Sequence, residues 1–321
     1  MPQSKPRVGL VHGTDRRKNV LHALELVRDD VTARVRPQVM LKPNFLSGSN
    51  QLAASHVDAM RGTIDFLMST PKPPEEILIA EAGNEKYPGE AWDSYNYHAL
   101  AEEYPIPIRL VDLHQETEWV ETPIVLADRT EVRVKMPKTV IDCPSVFSIA
   151  IAKTHDVCVV TLALKNLIMG TLYKPDRIKM HGFASHAERT LPAEAQALNV
   201  NLIRVARFLY PDVAVIDGTE GLQGNGPGGD DGVDFRLAAA GVDTIAADAV
   251  MAKAMGFEPM ELGLLRYAHE LGMGVADLAA IDVLETRIDA VQKQFKPHET
   301  THLQLQWQSD EFRQYLPETA Q

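Results

Sequence analysis

Residues 146–155 read VFSIAIAKTH, seven apolar or small residues that run straight into Lys153-Thr154-His155. A run of this length with no polar alternation is a strand buried on both faces, the texture of a parallel sheet covered by helices. The same texture recurs outward in both directions. Residues 8–11, 39–41, 77–80 and 108–111 precede it, residues 213–216 follow it, and residues 237–240 are one further candidate. Between these runs the period changes to that of a helix. Val20, Leu21, Leu24 and Val27 recur at three- and four-residue steps, and Val57, Met60, Ile64 and Leu67 lie on one side of residues 56–68. Helices are also expected over residues 91–102, 161–172, 193–209, 243–255 and 260–270, with Gly256 placed to end the fourth of these five. The alternation predicts an α/β fold, a mostly parallel sheet with helices on both faces.

One segment departs from this rhythm. Residues 118–136 alternate, with Val132, Val134 and Met136 two apart and the polar Asp128-Arg129 between two such runs, which predicts a β-hairpin inserted after the fourth strand. The expected organisation is a single α/β domain over residues 1–291, subdivided near 115–145 by the hairpin. A polar tail over 292–321 has no period that assigns it a structure.

The chain has 321 residues, 45% of them hydrophobic, with 32 Lys plus Arg against 44 Asp plus Glu, a net charge of −12. These proportions exclude collagen-like, disordered and coiled-coil classes. The acidic balance argues against nucleic acid as a partner. No stretch approaches the length of apolar sequence that spans a membrane, and the first residues lack the apolar run of a signal peptide. The expected compartment is the cytoplasm. Cys143 and Cys158 are too few for a disulfide framework or for an iron–sulfur cluster held by four cysteines, and read as small buried hydrophobes.

Chemistry is sought at the strand ends, because ligands of open parallel sheets bind beyond the carboxyl ends of the strands. There the sequence places His12-Gly13, Lys42-Pro43-Asn44, Glu81, Lys153-Thr154-His155 and Asp217-Gly218-Thr219-Glu220. Lys42 and Asn44, held extended by Pro43, suit a carboxylate or phosphate; the alternative is a solvated lysine beside a turn. Lys153 and His155 leave a buried strand. A desolvated lysine loses pKa and serves as a base or Schiff-base nucleophile, and histidine titrates near neutrality. Lys165 and Asn166 interrupt an apolar helix and so need a partner or a cavity, or a lysine stem buried with its head in water. Gly170, one turn on, admits a close neighbour.

Residues 221–232 read GLQGNGPGGDDG, and Gly224, Asn225 and Gly226 are candidates for an anion-binding loop, against a flexible connection. No Gly-Lys-Ser/Thr follows, and no helix opens at the dinucleotide-binding spacing. His181 and His186 are five apart, off the helical zinc spacing, and with Asp217 and Glu220 they read more simply as solvated loop side chains. A divalent metal nonetheless stays open, with Asp217 and Glu220 as ligands or as partners of a histidine.

Segments 39–44 (VMLKPN), 152–155 (AKTH), 162–170 (LALKNLIMG), 214–218 (AVIDG) and 224–229 (GNGPGG) resemble those of the family known as domain of unknown function 362. Asp243, Ala247-Asp248, Met255-Gly256 and residues 271–274 (LGMG) extend the resemblance through its C-terminal half. The resemblance implies a shared fold and a shared site. Some members carry a ferredoxin-like cluster segment; this chain lacks those cysteines.

Two functions fit. The first is an enzyme acting on a small anionic metabolite, a carboxylate or phosphate, by acid–base or redox chemistry. Lys42, Asn44, Lys165, Asn166 and the loop Gly224-Asn225-Gly226 would bind, and Lys153, His155, Asp217 and Glu220 would be catalytic. The second is a non-catalytic module that binds a ligand or partner for an oxidoreductase. The oligomeric state and the cofactor stay open.

Overall fold

The computed structural model describes residues 5–84 and 88–318. Its main sheet has nine strands: β1 (Arg7–His12), β2 (Gln38–Lys42), β3 (Glu76–Glu81), β4 (Ile108–Asp112), β7 (Val146–His155), β8 (Val159–Thr161), β9 (Val213–Leu222), β10 (Gly232–Gly241) and β11 (Asp282–Glu285). The order is β11-β1-β10-β9-β7-β2-β3-β4, with β8 paired to β7 alone. Only β10 and β8 run antiparallel to their neighbours. The α/β expectation of a mostly parallel sheet is therefore met.

Six helices of eight residues or more occur among the described residues. They are α1 (Arg16–Leu26), α2 (Val57–Met68), α3 (Ala163–Thr171), α4 (Ala193–Ala206), α5 (Thr244–Ala254) and α6 (Gly263–Glu270). The strands explain their placement. Val213, Val215, Phe147 and Ile149 pack on the α1–α2 side, while Ala214, Ile216 and Ala150 pack on the α3–α6 side. Alternate residues of each strand thus feed opposite layers. The hairpin β5 (Trp119–Val125) and β6 (Glu131–Pro137) forms a separate two-stranded sheet. No helix among the described residues is long and apolar enough to cross a membrane.

Two sequence expectations are revised, and one unassigned segment is placed. The helix expected over 91–102 is two short pieces, Pro88–Ser94 and Leu100–Glu103, separated by a 3-10 turn. Strand β7 does not stop at Ala152 but runs on to His155, because β8 pairs with its last three residues. The unassigned tail packs on the body. Phe295 is buried against Phe235, and the Trp307 indole N–H donates to the Glu261 carbonyl at 2.7 Å.

The connections define where the sheet opens. From β2 the chain steps outward to β3 and β4, then returns to the other side of β2 as β7 and continues to β9. The switch of direction lies between β2 and β7, and the crevice beyond their carboxyl ends is the ligand site this topology provides.

Strand β1 lies so close to α1 that a Cβ on Gly9 would stand 2.3 Å from the Ala23 carbonyl oxygen. Backbone cannot yield as a side chain does, so Gly9→Ala is expected to lower unfolding stability by about 1–3 kcal/mol. Urea denaturation of wild type and variant checks this, and an unchanged midpoint would contradict the packing.

Candidate functional site

Lys42, the last residue of β2, is fully buried. Its ammonium ion-pairs with Glu81 at the end of β3 and donates to the Pro43 carbonyl at 2.6 Å. Burial drives the Lys42 pKa down, and the Glu81 carboxylate opposes that. Gly170 of α3 forms the roof, since a Cβ there would stand 2.3 Å from Lys42 Nζ. The close neighbour that this glycine admits is the ion pair itself. Glu81 Oε1 also accepts from the Phe45 N–H at 2.9 Å, fixing the turn after β2.

That turn carries Asn44. Its backbone N–H donates to Ser55 Oγ at 2.8 Å, and its side-chain Nδ2 donates to Asn166 Oδ1 at 3.0 Å. Asn166 Nδ2 in turn donates to Ser148 Oγ at 3.0 Å and the Lys42 carbonyl at 3.2 Å. This chain of amides leaves Asn44 Oδ1 facing Lys153, whose Nζ donates to it at 2.8 Å and to the Ala53 carbonyl at 3.3 Å. Lys153 is 1% exposed, and both of these partners are neutral. Burial, reinforced by the Lys165 and Lys42 charges and opposed by Glu81, lowers its pKa to about 7.

Lys153 and His155 are two apart in an extended strand and so share a face. Thr154, between them, turns away and donates to the Gly224 carbonyl at 2.9 Å. His155 Nε2 lies 2.9 Å from Lys165 Nζ. The other ring nitrogen, Nδ1, accepts from the Val157 N–H at 3.0 Å, and Asp156 Oδ1 lies 3.0 Å from the same nitrogen. Burial first, then the Lys165 charge, holds the His155 pKa well below the usual histidine value, so the ring is neutral. Asp156 continues to Arg189 at 2.8 Å, Arg189 to Glu194 at 2.5 Å, and Glu194 to His181 Nδ1 at 2.6 Å. The His155 and His181 rings lie nearly parallel with centroids 6.4 Å apart. Burial lowers the His181 pKa too, against the pull of Glu194.

Lys165 and Asn166 reach the site because α3 begins there. The Ala163 and Leu164 N–H groups donate to the Asp248 carboxylate at 2.7 and 3.1 Å, a cap supplied by α5. Burial raises that carboxyl to about 7.

These groups surround a cavity of about 360 Å³. Five of its lining side chains are cationic, Lys153, Lys165, Lys174, Arg177 and Arg189, against the acids Glu81 and Asp156. Arg177 donates to the Leu172 and Ala82 carbonyls, and burial lowers its pKa to about 10. Thr161 also lines the cavity; its buried hydroxyl has no hydrogen-bond partner among the described residues.

Of the residues singled out in the sequence, Asn44, Lys153, His155, Lys165 and Asn166 line this cavity, and Lys42 lies directly beneath it. Asp217 and Glu220 do not join them. Asp217 is fully buried, 2.7 Å from Arg16, and Glu220 lies 3.7 Å from the same guanidinium. The reason is strand parity: residue 217 continues the Val213–Val215 face, toward α1, so it neither orients His155 nor lies solvated. Gly224, Asn225 and Gly226 also stand apart. The Gly224 N–H donates to the Lys296 carbonyl, the Gly226 N–H to the Gly224 carbonyl, and Asn225 Oδ1 accepts from the Glu299 N–H. Their donors serve the loop and the tail, and Pro227 alone of this loop reaches the cavity. Asp217 and Glu220 are not brought together with His181 or His186. Among the described residues no group of three or more His, Cys, Asp or Glu side chains could hold a metal ion.

Sequence reasoning passed over Asp156, Arg189 and Glu194. Adjacency to His155 was the available signal for Asp156; nothing local marks the other two. His181, read there as solvated, is paired and mostly buried.

Fold and site define an α/β protein with a lysine-rich cavity at the switch point of a mostly parallel sheet. The family described as Domain of unknown function (DUF362) matches residues 39–253, more than half of the chain, and the chain belongs to that family. No curated protein matches the sequence. Among solved structures the chain is similar to the lactate racemase apoprotein from Thermoanaerobacterium thermosaccharolyticum, with a TM-score of 0.50 and 12% identity, over 79% of this chain and 57% of that one. The chain spans little more than half the length of that structure, and the likeness is one of fold.

The Lys42–Glu81 pair gives a direct prediction. Glu81→Ala leaves a buried ammonium uncompensated and is expected to lower unfolding stability by about 3–5 kcal/mol. Adding Lys42→Met should recover at least half of that loss in chemical denaturation. A Glu81→Ala change within about 1 kcal/mol of wild type would show that the pair is not buried as described.

Proposed function

We propose that this chain is an enzyme that moves a proton on a small carboxylate- or phosphate-bearing metabolite bound in the switch-point cavity. The observation that carries the reading is a buried lysine resting on neutral oxygens and a buried imidazole two residues along the same strand face, both lining a cavity whose other charges are mostly cationic. Lys165, assisted by Lys174 and Arg177, holds the anion. Lys153, His155 and Lys165 are themselves buried, so charge–charge contacts with them are stronger than they would be at the surface. Asn44 and Asn166 fix the lysines and offer neutral hydrogen bonds.

His155 and Lys153 divide the proton transfer. A group works best as acid or base when its pKa lies near the working pH. Lys153 meets that condition: its ammonium gives way to the amine as pH rises through about 7. His155 is neutral at rest, with Nδ1 taken by the Val157 N–H and Nε2 turned toward Lys165, the side from which it would exchange a proton. The similarity in fold to a lactate racemase, a protein named for chemistry on a small hydroxy acid, is consistent with this substrate class. Redox chemistry with an added cofactor is not needed for this step.

A proton-transfer enzyme betrays itself in heavy water before its net reaction is known. Small carboxylates and phosphates incubated with the protein in D2O should include one whose C–H signal disappears by proton NMR. The exchange rate should rise with pH to a plateau above about pH 7, following the Lys153 amine. His155→Gln and Lys153→Met should each slow it by about 100-fold or more. Thermal stabilisation by such anions without exchange of any C–H would overturn the reading in favour of a binding module.

A further inference from the structure

The cavity has a feature that proton transfer alone leaves unexplained. Among the described residues Lys153 has no carboxylate partner; its amine rests on two neutral oxygens, Asn44 Oδ1 and the Ala53 carbonyl. A lysine kept for charge alone would be expected to lie against an acid, as Lys42 does against Glu81. Opposite Lys153 on the paired strand stands Thr161. Residues directly opposed across an antiparallel pair project from the same face within a few ångströms of each other. The Thr161 hydroxyl is buried in the cavity wall and unpartnered among the described residues. An amine without a counter-ion thus sits beside a hydroxyl without a partner, at the edge of a cationic cavity.

We propose that Lys153 is a nucleophile that forms an imine with the carbonyl carbon of a 2-oxo acid. The inference rests on the anion-binding reading above and names its substrate class. The 2-oxo carboxylate lies on Lys165 and its cationic neighbours, which places the adjacent carbonyl at Lys153. The neutral amine attacks the carbonyl carbon, a C–N bond forms, and the proton lost from nitrogen is gained by oxygen to give a carbinolamine. The Thr161 hydroxyl donates to that oxygen. Protonation of the oxygen through the Lys165–His155 pair expels water and leaves C=N. The balance is one carbonyl and one amine giving one imine and one water, with no oxidant or reductant consumed. The resulting protonated imine draws electrons from the neighbouring carbon, C3 of the oxo acid, and so acidifies its C–H, whose proton the acid–base groups would then remove to leave an enamine. Lys42 and Lys165 face Lys153 as like charges and Glu81 as the opposing one, an arrangement that favours the amine.

The test is reductive trapping on the full-length protein. Pyruvate and 2-oxoglutarate are each added with sodium borohydride, and intact mass and peptide mapping locate the product. The expected result is one adduct per chain on the peptide containing Lys153, formed faster as pH rises through about 7 and competed away by malonate. Lys153→Arg should abolish it, and Thr161→Val should slow it by about tenfold while leaving thermal stability unchanged. Failure of both oxo acids to label Lys153 above the level of surface lysines overturns the proposal. Thermal shifts with malonate and phosphate separate the two levels. Stabilisation by these anions without a Lys153 adduct removes the imine and leaves the anion site standing; no stabilisation removes both.

Discussion

Among the described residues three lysine side chains, Lys42, Lys153 and Lys165, end in the interior, and burying an ammonium group is unfavourable unless something compensates. The structure resolves that constraint differently for each. Lys42 has a carboxylate, Glu81, and a glycine roof at Gly170 that closes over the pair. Lys165 reaches the cavity and the ring of His155. Lys153 is buried with no acid paired to it among the described residues, and its pKa falls toward neutrality. The unequal compensation of three like charges sets Lys153 apart from the other two, and the switch point between β2 and β7 is where the topology brings them together.

Around them the polar groups form two chains with separate duties. The amide chain Asn44–Asn166–Ser148 is neutral and fixes geometry, since each amide both donates and accepts within it. The charged chain Asp156–Arg189–Glu194–His181 runs from the residue after His155 round to the ring of His181, 6.4 Å from that of His155, and balances charge locally. A cap from Asp248 sets where α3 begins, and so where Lys165 and Asn166 point. Positioning in this site therefore depends on residues from β2, β7, α3, α4 and α5 together.

Much of this was legible in the residues. Apolar runs without alternation marked six of the parallel strands, and alternation marked the hairpin, because burial on two faces and on one face leave different patterns. The convergence of Lys42, Asn44, Lys153, His155, Lys165 and Asn166 was also readable, from strand ends and from charge inside an apolar helix. Asp217 was misplaced because a strand end alone does not say which layer a side chain enters; parity sends it to Arg16 on the α1 side. The glycine loop was misread because its N–H groups are claimed by the loop and the tail, a long-range pairing that glycine spacing does not encode. β8, β11 and the docking of the tail were illegible for the same reason: short segments gain their structure from partners distant in the chain.

The account depends on the desolvation of Lys153, which can be observed without a substrate. Lysine Cε resonances of 13C-labelled protein, with Lys153 assigned by its loss in Lys153→Arg, can be titrated by NMR. The account predicts a midpoint at about 7. A midpoint at the ordinary lysine value of about 10.4 would mean that the amine is solvated or paired, and would contradict it.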